Sequence, residues 1–145
     1  MNLTDKPIAI ASDHAGLPMK SRLIELIDEF EFEDLGTHSM DSVDYPDFAD
    51  LVAKSITDDP ERFGVLICGS GQGMAIRANK FKNIRAALCW SPEIASLARQ
   101  HNNANILVLP GRFLEEPTAV EIFRAFFCTE FEGGRHQRRV EKLSK

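Results

Sequence analysis

The sequence predicts an α/β fold, a doubly wound five-stranded parallel sheet in the order 2-1-3-4-5 with helices on both faces. Short apolar, partly β-branched runs, among them Ile8–Ser12, Gly64–Cys68 and Ile106–Leu109, have the length and composition of buried strands. Between them, apolar residues recur every three or four positions, the signature of helices with one buried face. The two patterns alternate along all 145 residues with no repeat, linker or low-complexity stretch. That alternation implies parallel strands joined by right-handed helical crossovers within one domain, residues 1–145.

Taken in order, Pro7 precedes a first strand at Ile8–Ser12, and Asp13-His14-Ala15-Gly16 is a polar loop. Leu23, Leu26, Ile27 and Phe30 place one helical face between Leu17 and Phe30, and Glu31–Leu35 reads as a short strand ending at Gly36. Pro46 suits the first turn of a helix running through Phe48, Leu51, Val52 and Ser55 to the Asp58-Asp59-Pro60 break. The third strand, Gly64–Cys68, leads through a glycine loop into a helix ending near Asn79. The fourth strand is Arg85–Cys89. Ser91-Pro92-Glu93 then combines a capping hydroxyl, a first-turn proline and an acid, and opens a helix ending near His101-Asn102-Asn103. The fifth strand, Ile106–Leu109, stops at Pro110-Gly111. Ala119, Ile122, Phe123, Phe126 and Phe127 mark the next helix, and a charged segment after Gly133-Gly134 forms the last.

Composition excludes several functions. Apolar residues make up 43% and charged residues 27% of the chain, the profile of a globular domain. A net charge of −5 argues against a nucleic-acid partner. The cluster Arg135, Arg138, Arg139 is too small for a duplex but sufficient for one phosphate. Three cysteines without CxxC spacing, Cys68, Cys89 and Cys128, fit neither a disulfide framework nor a zinc site, and suit a reducing compartment. Met1–Pro7 lacks the apolar core of a signal peptide, and no apolar run approaches the roughly 18 residues of a membrane span. A cytoplasmic protein without a membrane partner is expected.

The most informative segment is Cys68-Gly69-Ser70-Gly71-Gln72-Gly73. It is not a phosphate loop of the Walker type, because Met74-Ala75-Ile76 stands where Gly-Lys-Ser/Thr is required, and its glycine spacing is not the dinucleotide fingerprint. Glycines there let successive N–H groups point outward at a helix start, which favours an anion. A cysteine at the rim is either an inert packing residue or an acid–base group. The predicted topology weighs on this choice. Ligands of such sheets bind at the switch point, between the loops that follow strands one and three. Those loops carry Asp13-His14 and Cys68-Gly69.

Other groups stay open on their own spacing. Tyr45, in Asp44-Tyr45-Pro46, is either half-buried packing or substrate-facing. His101 and Asn102 are either a helix C-terminal cap or polar contacts for a ligand. Arg135 and Arg139 share one helical face, a solvated basic end or a phosphate clamp, and Arg112 follows strand five at the switch-point edge.

Together these segments resemble the type B ribose-5-phosphate isomerases and the related galactose-6-phosphate and allose-6-phosphate isomerases. The matching motifs are Ser12-Asp13-His14-Ala15-Gly16, Asp44-Tyr45-Pro46, the Cys68–Gly73 loop, Ala78-Asn79-Lys80, Ile84-Arg85-Ala86, Arg99-Gln100-His101-Asn102 and Glu132-Gly133-Gly134-Arg135-His136-Gln137. The resemblance implies a flavodoxin-like fold and a metal-free, cofactor-free aldose–ketose isomerisation of a small sugar phosphate. It implies Cys68 as the base moving a proton between C2 and C1, with Ser70 and the amides around Gly69, Gly71, Gln72 and Gly73 stabilising the enediolate. It implies His101 as the ring-opening acid with Asp13 assisting, Asn102 and Tyr45 on the sugar, and His14, Arg112, Arg135 and Arg139 on the phosphate. It further implies a homodimer, often paired again into a tetramer, with pockets shared between subunits and the segment from about residue 132 serving as an interface and phosphate-binding helix. Ser12 and Ser70 stand where some relatives have Cys and Thr.

These residue types suit the chemistry independently. An enediol isomerisation needs a moderate base, donors where charge develops and a separate acid for the ring. A six-carbon sugar phosphate is the alternative substrate, and a non-catalytic phosphate- or nucleotide-binding module the alternative class. The aromatic face Phe123, Phe126, Phe127, with Phe131 nearby, exceeds what one side of a small sheet needs and is expected to mark an interface.

Overall fold

Strand β3 (Gly64–Cys68) occupies the middle of the sheet, flanked by β1 (Ile8–Ser12) and β5 (Ile106–Pro110), and every residue of these three strands is buried. The computed structural model describes residues 2–145. Shorter, more exposed strands β2 (Phe32–Asp34) and β4 (Ala86–Leu88) form the edges, and all pairings are parallel. The helices are α1 (Leu17–Leu26), α2 (Tyr45–Asp58), α3 (Gln72–Ala78), α4 (Pro92–Asn102), α5 (Glu116–Phe127) and α6 (Arg135–Leu143), with a 3-10 turn at Gly111–Phe113.

The α/β class and doubly wound parallel sheet are as expected; the order at one edge is not. The sheet runs β2-β1-β3-β5-β4, not 2-1-3-4-5. Burial explains the exchange. The run Ile106–Pro110 is shielded on both faces and needs a neighbour on each side, whereas the three-residue Ala86–Leu88 tolerates an edge. Crossovers in one direction place α2 and α3 on one face, and those in the other place α1 and α4 opposite, as a single handedness requires.

Alternation along the strands divides the core. Ile8, Ile10, Val65, Ile67, Leu107 and Leu109 meet α1, α4 and α5, while Ala9, Ala11, Leu66, Cys68, Ile106 and Val108 meet α2 and α3. Helix α1 stops at Leu26, four residues before the expected end at Phe30. Ile27 is already extended, yet Ile27 and Phe30 stay buried as loop residues, so they kept the helical spacing without the helix. The Ser91 cap is as expected, its hydroxyl accepting the Ile94 N–H at 3.2 Å, and Asn103 in the left-handed region (φ 48°) ends α4.

The aromatic surplus has a different use from the one expected. Phe123, Phe126 and Phe127 are fully buried; Phe127 packs on Phe123 and Phe126 at centroid distances of 4.4 and 4.9 Å, and Phe123 and Phe127 pack with Phe30, Phe32 and Phe63 at 5.5–6.1 Å. These phenylalanines are core, not interface, each contributing roughly 1.5–3 kcal/mol of burial. The large apolar side chains left exposed are others, including Leu51, Ile76, Trp90 and Phe113. Among the described residues no helix is long and apolar enough to cross a membrane.

Candidate active site

At the carboxyl edge of the sheet the loops after β1, β3 and β5 meet. The Asp13 N–H extends β1 by donating to the Ile67 carbonyl, and the Asp13 carboxylate accepts the Gly16 N–H at 2.9 Å, which fixes the loop entering α1. Gly16 lies against the Ile67 carbonyl so closely that a Cβ would overlap it, so this α1 entry requires glycine. Asp13 is thereby buried beside the end of β3.

Cys68 ends β3 opposite Pro110 of β5, 5% exposed, as a free thiol. Beyond it the chain turns at Gly71, whose φ of 78° and contact with Leu88 exclude a side chain. The amides of Gly69, Ser70 and Gly71 donate to no group among the described residues, and the Gln72 N–H reaches only the Ser70 hydroxyl, at 3.4 Å. Unpartnered donors at the start of α3, beside a thiol, form an anion cradle. By contrast Cys89 is fully buried, and desolvation pushes its thiol up to about 12, out of reach of acid–base work.

Two further segments close on this loop. The Tyr45 ring, at the start of α2, covers Gly73, where a Cβ would collide with it; the tyrosine is 40% exposed. The Arg112 N–H donates to the Gly69 carbonyl at 3.0 Å, and its side chain lies along Gly69. His14 Nδ1 accepts the Val43 N–H at 3.2 Å, leaving Nε2–H to donate. His14, Met19, Met40 and Arg112 line a cleft of ≈ 440 Å³. A larger hollow of ≈ 780 Å³, lined by Leu3, Lys6, Phe30, Glu61 and Phe63, lies at the opposite edge and holds none of the candidate residues.

The remaining candidates are gathered elsewhere. His101 and Asn102 end α4, whose exit passes Asn105, and the Asn105 carbonyl accepts the Gly64 N–H at the start of β3. Buried Arg99 anchors that exit by donating to Asn103 Oδ1 and to the Ala104 and Thr129 carbonyls, its cation over the Phe63 and Phe126 rings. Burial lowers Arg99 to about 10. Arg135 and Arg139 lie on α6, exposed and without a carboxylate partner among the described residues. One chain therefore assembles Asp13, His14, Tyr45, the Cys68–Gly73 loop and Arg112 at one edge. It holds His101, Asn102, Arg135 and Arg139 at the other, about 13 Å away by the rise of the intervening strand.

Two residues without an assigned role stand out. Lys20 is buried in α1, bonded to Asp34 Oδ1 at 2.6 Å and the Thr37 carbonyl at 2.7 Å; its spacing from Leu23 put it on the inner face. His136 stacks on His101 at 4.3 Å and 15°. His101, Glu132 and His136 bring ligand atoms within 4.8 Å of one another. Near-parallel stacked imidazoles send their nitrogen lone pairs side by side rather than to one point, so the trio is not a cation cage.

A family model described as Ribose/Galactose Isomerase matches residues 8–143. A probable ribose-5-phosphate isomerase B from Mycoplasma pneumoniae is 44% identical over 140 residues, 94% of this chain and 92% of that protein. Ribose-5-phosphate isomerase B from Escherichia coli is 40% identical over 141 residues, 96% and 95% of the two chains. A crystal structure of a ribose 5-phosphate isomerase from Thermotoga maritima matches with a TM-score of 0.93 at 51% identity, covering 95% of this chain and 97% of that one. Ribose-5-phosphate isomerase B from Mycoplasma genitalium, solved with bound ribulose-5-phosphate, matches with a TM-score of 0.91 at 45% identity over 95% and 93%.

Proposed function

We propose that this chain, which belongs to the ribose/galactose isomerase family, interconverts ribose 5-phosphate and ribulose 5-phosphate through an enediolate, with Cys68 as the base and no step assigned to a metal. The observation that carries this reading is the free Cys68 thiol beside the unpartnered amides of Gly69, Ser70 and Gly71. In the open-chain aldose, the Cys68 thiolate takes the C2 proton. The C2–H electrons form the C1–C2 double bond, and the former carbonyl oxygen becomes the enediolate oxygen facing the loop amides. Return of the proton to C1, with the O2 hydroxyl proton passing to O1, leaves the ketone.

Before that step the furanose must open. His101 donates a proton to the ring oxygen, with Asp13 assisting, while Asn102 and Tyr45 contact the sugar. Arg112 and His14 from one chain, with Arg135 and Arg139, hold the phosphate, whose binding energy positions the reacting carbons. Since Cys68 and His101 stand at opposite sheet edges of one chain, this division of roles needs two subunits and makes the enzyme an obligate homodimer or a pair of dimers. Residues 1–145 act as one domain, α6 supplying the phosphate clamp. Three free cysteines suit a reducing cytoplasm.

The deciding experiment is a coupled isomerase assay with ribose 5-phosphate and allose 6-phosphate, run without added metal and with chelator. Preferred turnover of ribose 5-phosphate is expected. A preference for the six-carbon substrate would reassign it, and turnover of neither would favour a non-catalytic phosphate-binding module.

A further inference from the structure

His136, whose ring contacts His101, has no role assigned to it. His101 sits in the last turn of α4, half-buried, and the terminal torsion of a histidine on a helix surface is broad, so the backbone alone does not fix the plane of its ring. His136 sits in the first turn of α6 and is 8% exposed. The two rings lie 4.3 Å apart at 15°, a face-to-face stack rather than an edge contact.

The chain is built to hold this stack. The Glu132 N–H donates to the Gln100 carbonyl at 3.1 Å, strapping the segment before α6 to the last turn of α4. Gly133 and Gly134 then take φ of 68° and 55°, and a Cβ at either would meet no atom within 4 Å; they are glycines for the reversal, not for lack of space. The reversal returns His136 over His101, and the His136 N–H closes the turn on the Gly133 carbonyl at 3.0 Å. Glu132 Oε1 lies 3.6 Å from His136 Nε2.

We infer that His136 is a positioning residue for the ring-opening acid: its stacked imidazole fixes the plane in which His101 presents its nitrogen to the sugar. The inference rests on the reading of His101 as that acid. The charged and titratable groups about His136 are His101 from α4, Glu132 from the strap, and Arg135 and Arg139 from its own helix. Burial foremost, then His101 and Arg135, lower the His136 imidazole below the ordinary histidine range and so favour its neutral form in the stack.

The test uses the full chain and two substrates: ribose 5-phosphate, which is mostly furanose, and 4-deoxyribose 5-phosphate, which lacks the hydroxyl that closes the ring. His136→Ala is expected to lower kcat on ribose 5-phosphate about tenfold with little change in KM, as a misplaced proton donor would. The open-chain substrate is expected to turn over at close to the wild-type rate. His136→Phe, which keeps a flat ring but no titratable group, is expected to restore most of the loss. Circular dichroism on each variant separates these effects from unfolding. Equal losses on both substrates, a loss confined to KM, or no rescue by a folded Phe variant would overturn the inference. His101→Asn is measured alongside. If it is equally impaired on both substrates, the ring-opening reading itself fails; if it is selective for the furanose while the His136 variants are not, only the stacking role falls.

Discussion

Cys68 and His101 stand at opposite edges of the sheet of one chain, Cys68 facing Pro110 at the carboxyl end of β3 and His101 within four residues of Asn105 at its amino end. The intervening strand rises about 13 Å, several times the reach of a proton transfer. If both groups act on one sugar, they come from two chains.

Complementation tests that arrangement. Cys68→Ala and the double variant Arg135→Ala,Arg139→Ala are each expected to be nearly inactive alone. Mixing them with verified subunit exchange is expected to restore part of the wild-type rate, because each mixed dimer carries one intact composite site. No recovery, or a fully active monomer at nanomolar concentration, would exclude shared sites.

The two buried thiols are expected to differ sharply. Cys68→Ala should fold and bind ribose 5-phosphate while losing roughly 10²–10⁴-fold in kcat, the scale of a general base. Cys89→Ala should keep nearly full kcat at modest stability cost, since its thiol is locked away by burial. Steady-state kinetics on both variants checks this. A Cys68→Ala enzyme retaining more than about a tenth of its turnover would remove Cys68 as the base.

Gly71→Ala should damage both stability and rate. The φ of 78° disfavours a side chain, and its Cβ would strike Leu88 beneath the loop. The combined penalty is on the order of 2–4 kcal/mol. Urea unfolding should show a lowered midpoint with an unchanged slope, and kcat should fall as the loop amides move.

Acid should weaken the fold partly through His136. Its folded-state affinity for a proton is depressed, chiefly by burial, below that of the unfolded chain. Below the unfolded value, about 6.5, the unfolded state therefore binds more protons than the folded one. This contribution is complete above that pH and is lost as pH falls from there through the lower folded value. His136→Phe should flatten the decline in urea midpoint between about pH 7 and pH 5. An unchanged slope would show that His136 does not titrate differently in the two states.

Much of the fold was legible from local pattern. Strands β1 and β3 have the limits their apolar runs gave them, and Ser91-Pro92-Glu93 capped α4 as its chemistry requires. Both loops of the switch point came from residues adjacent in sequence to those strands. The exchange of β4 and β5, the burial of the phenylalanines and the early end of α1 were not legible. Each depends on which surfaces meet, and a hydrophobic spacing records that a residue is buried without recording against what.

The sequence by itself determined the α/β class, the glycine loop with its thiol, and the roster of acid–base and cationic groups, because strand runs, helix caps and positive-φ turns are set by neighbours a few residues apart. Only the tertiary structure decided how that roster divides. It put Gly73 under Tyr45, Gly69 against Arg112 and His136 over His101, and set His101 a strand's length from Cys68. These relations join residues tens of positions apart, and they are fixed by the order of strands and the direction of helices, which local propensity does not encode.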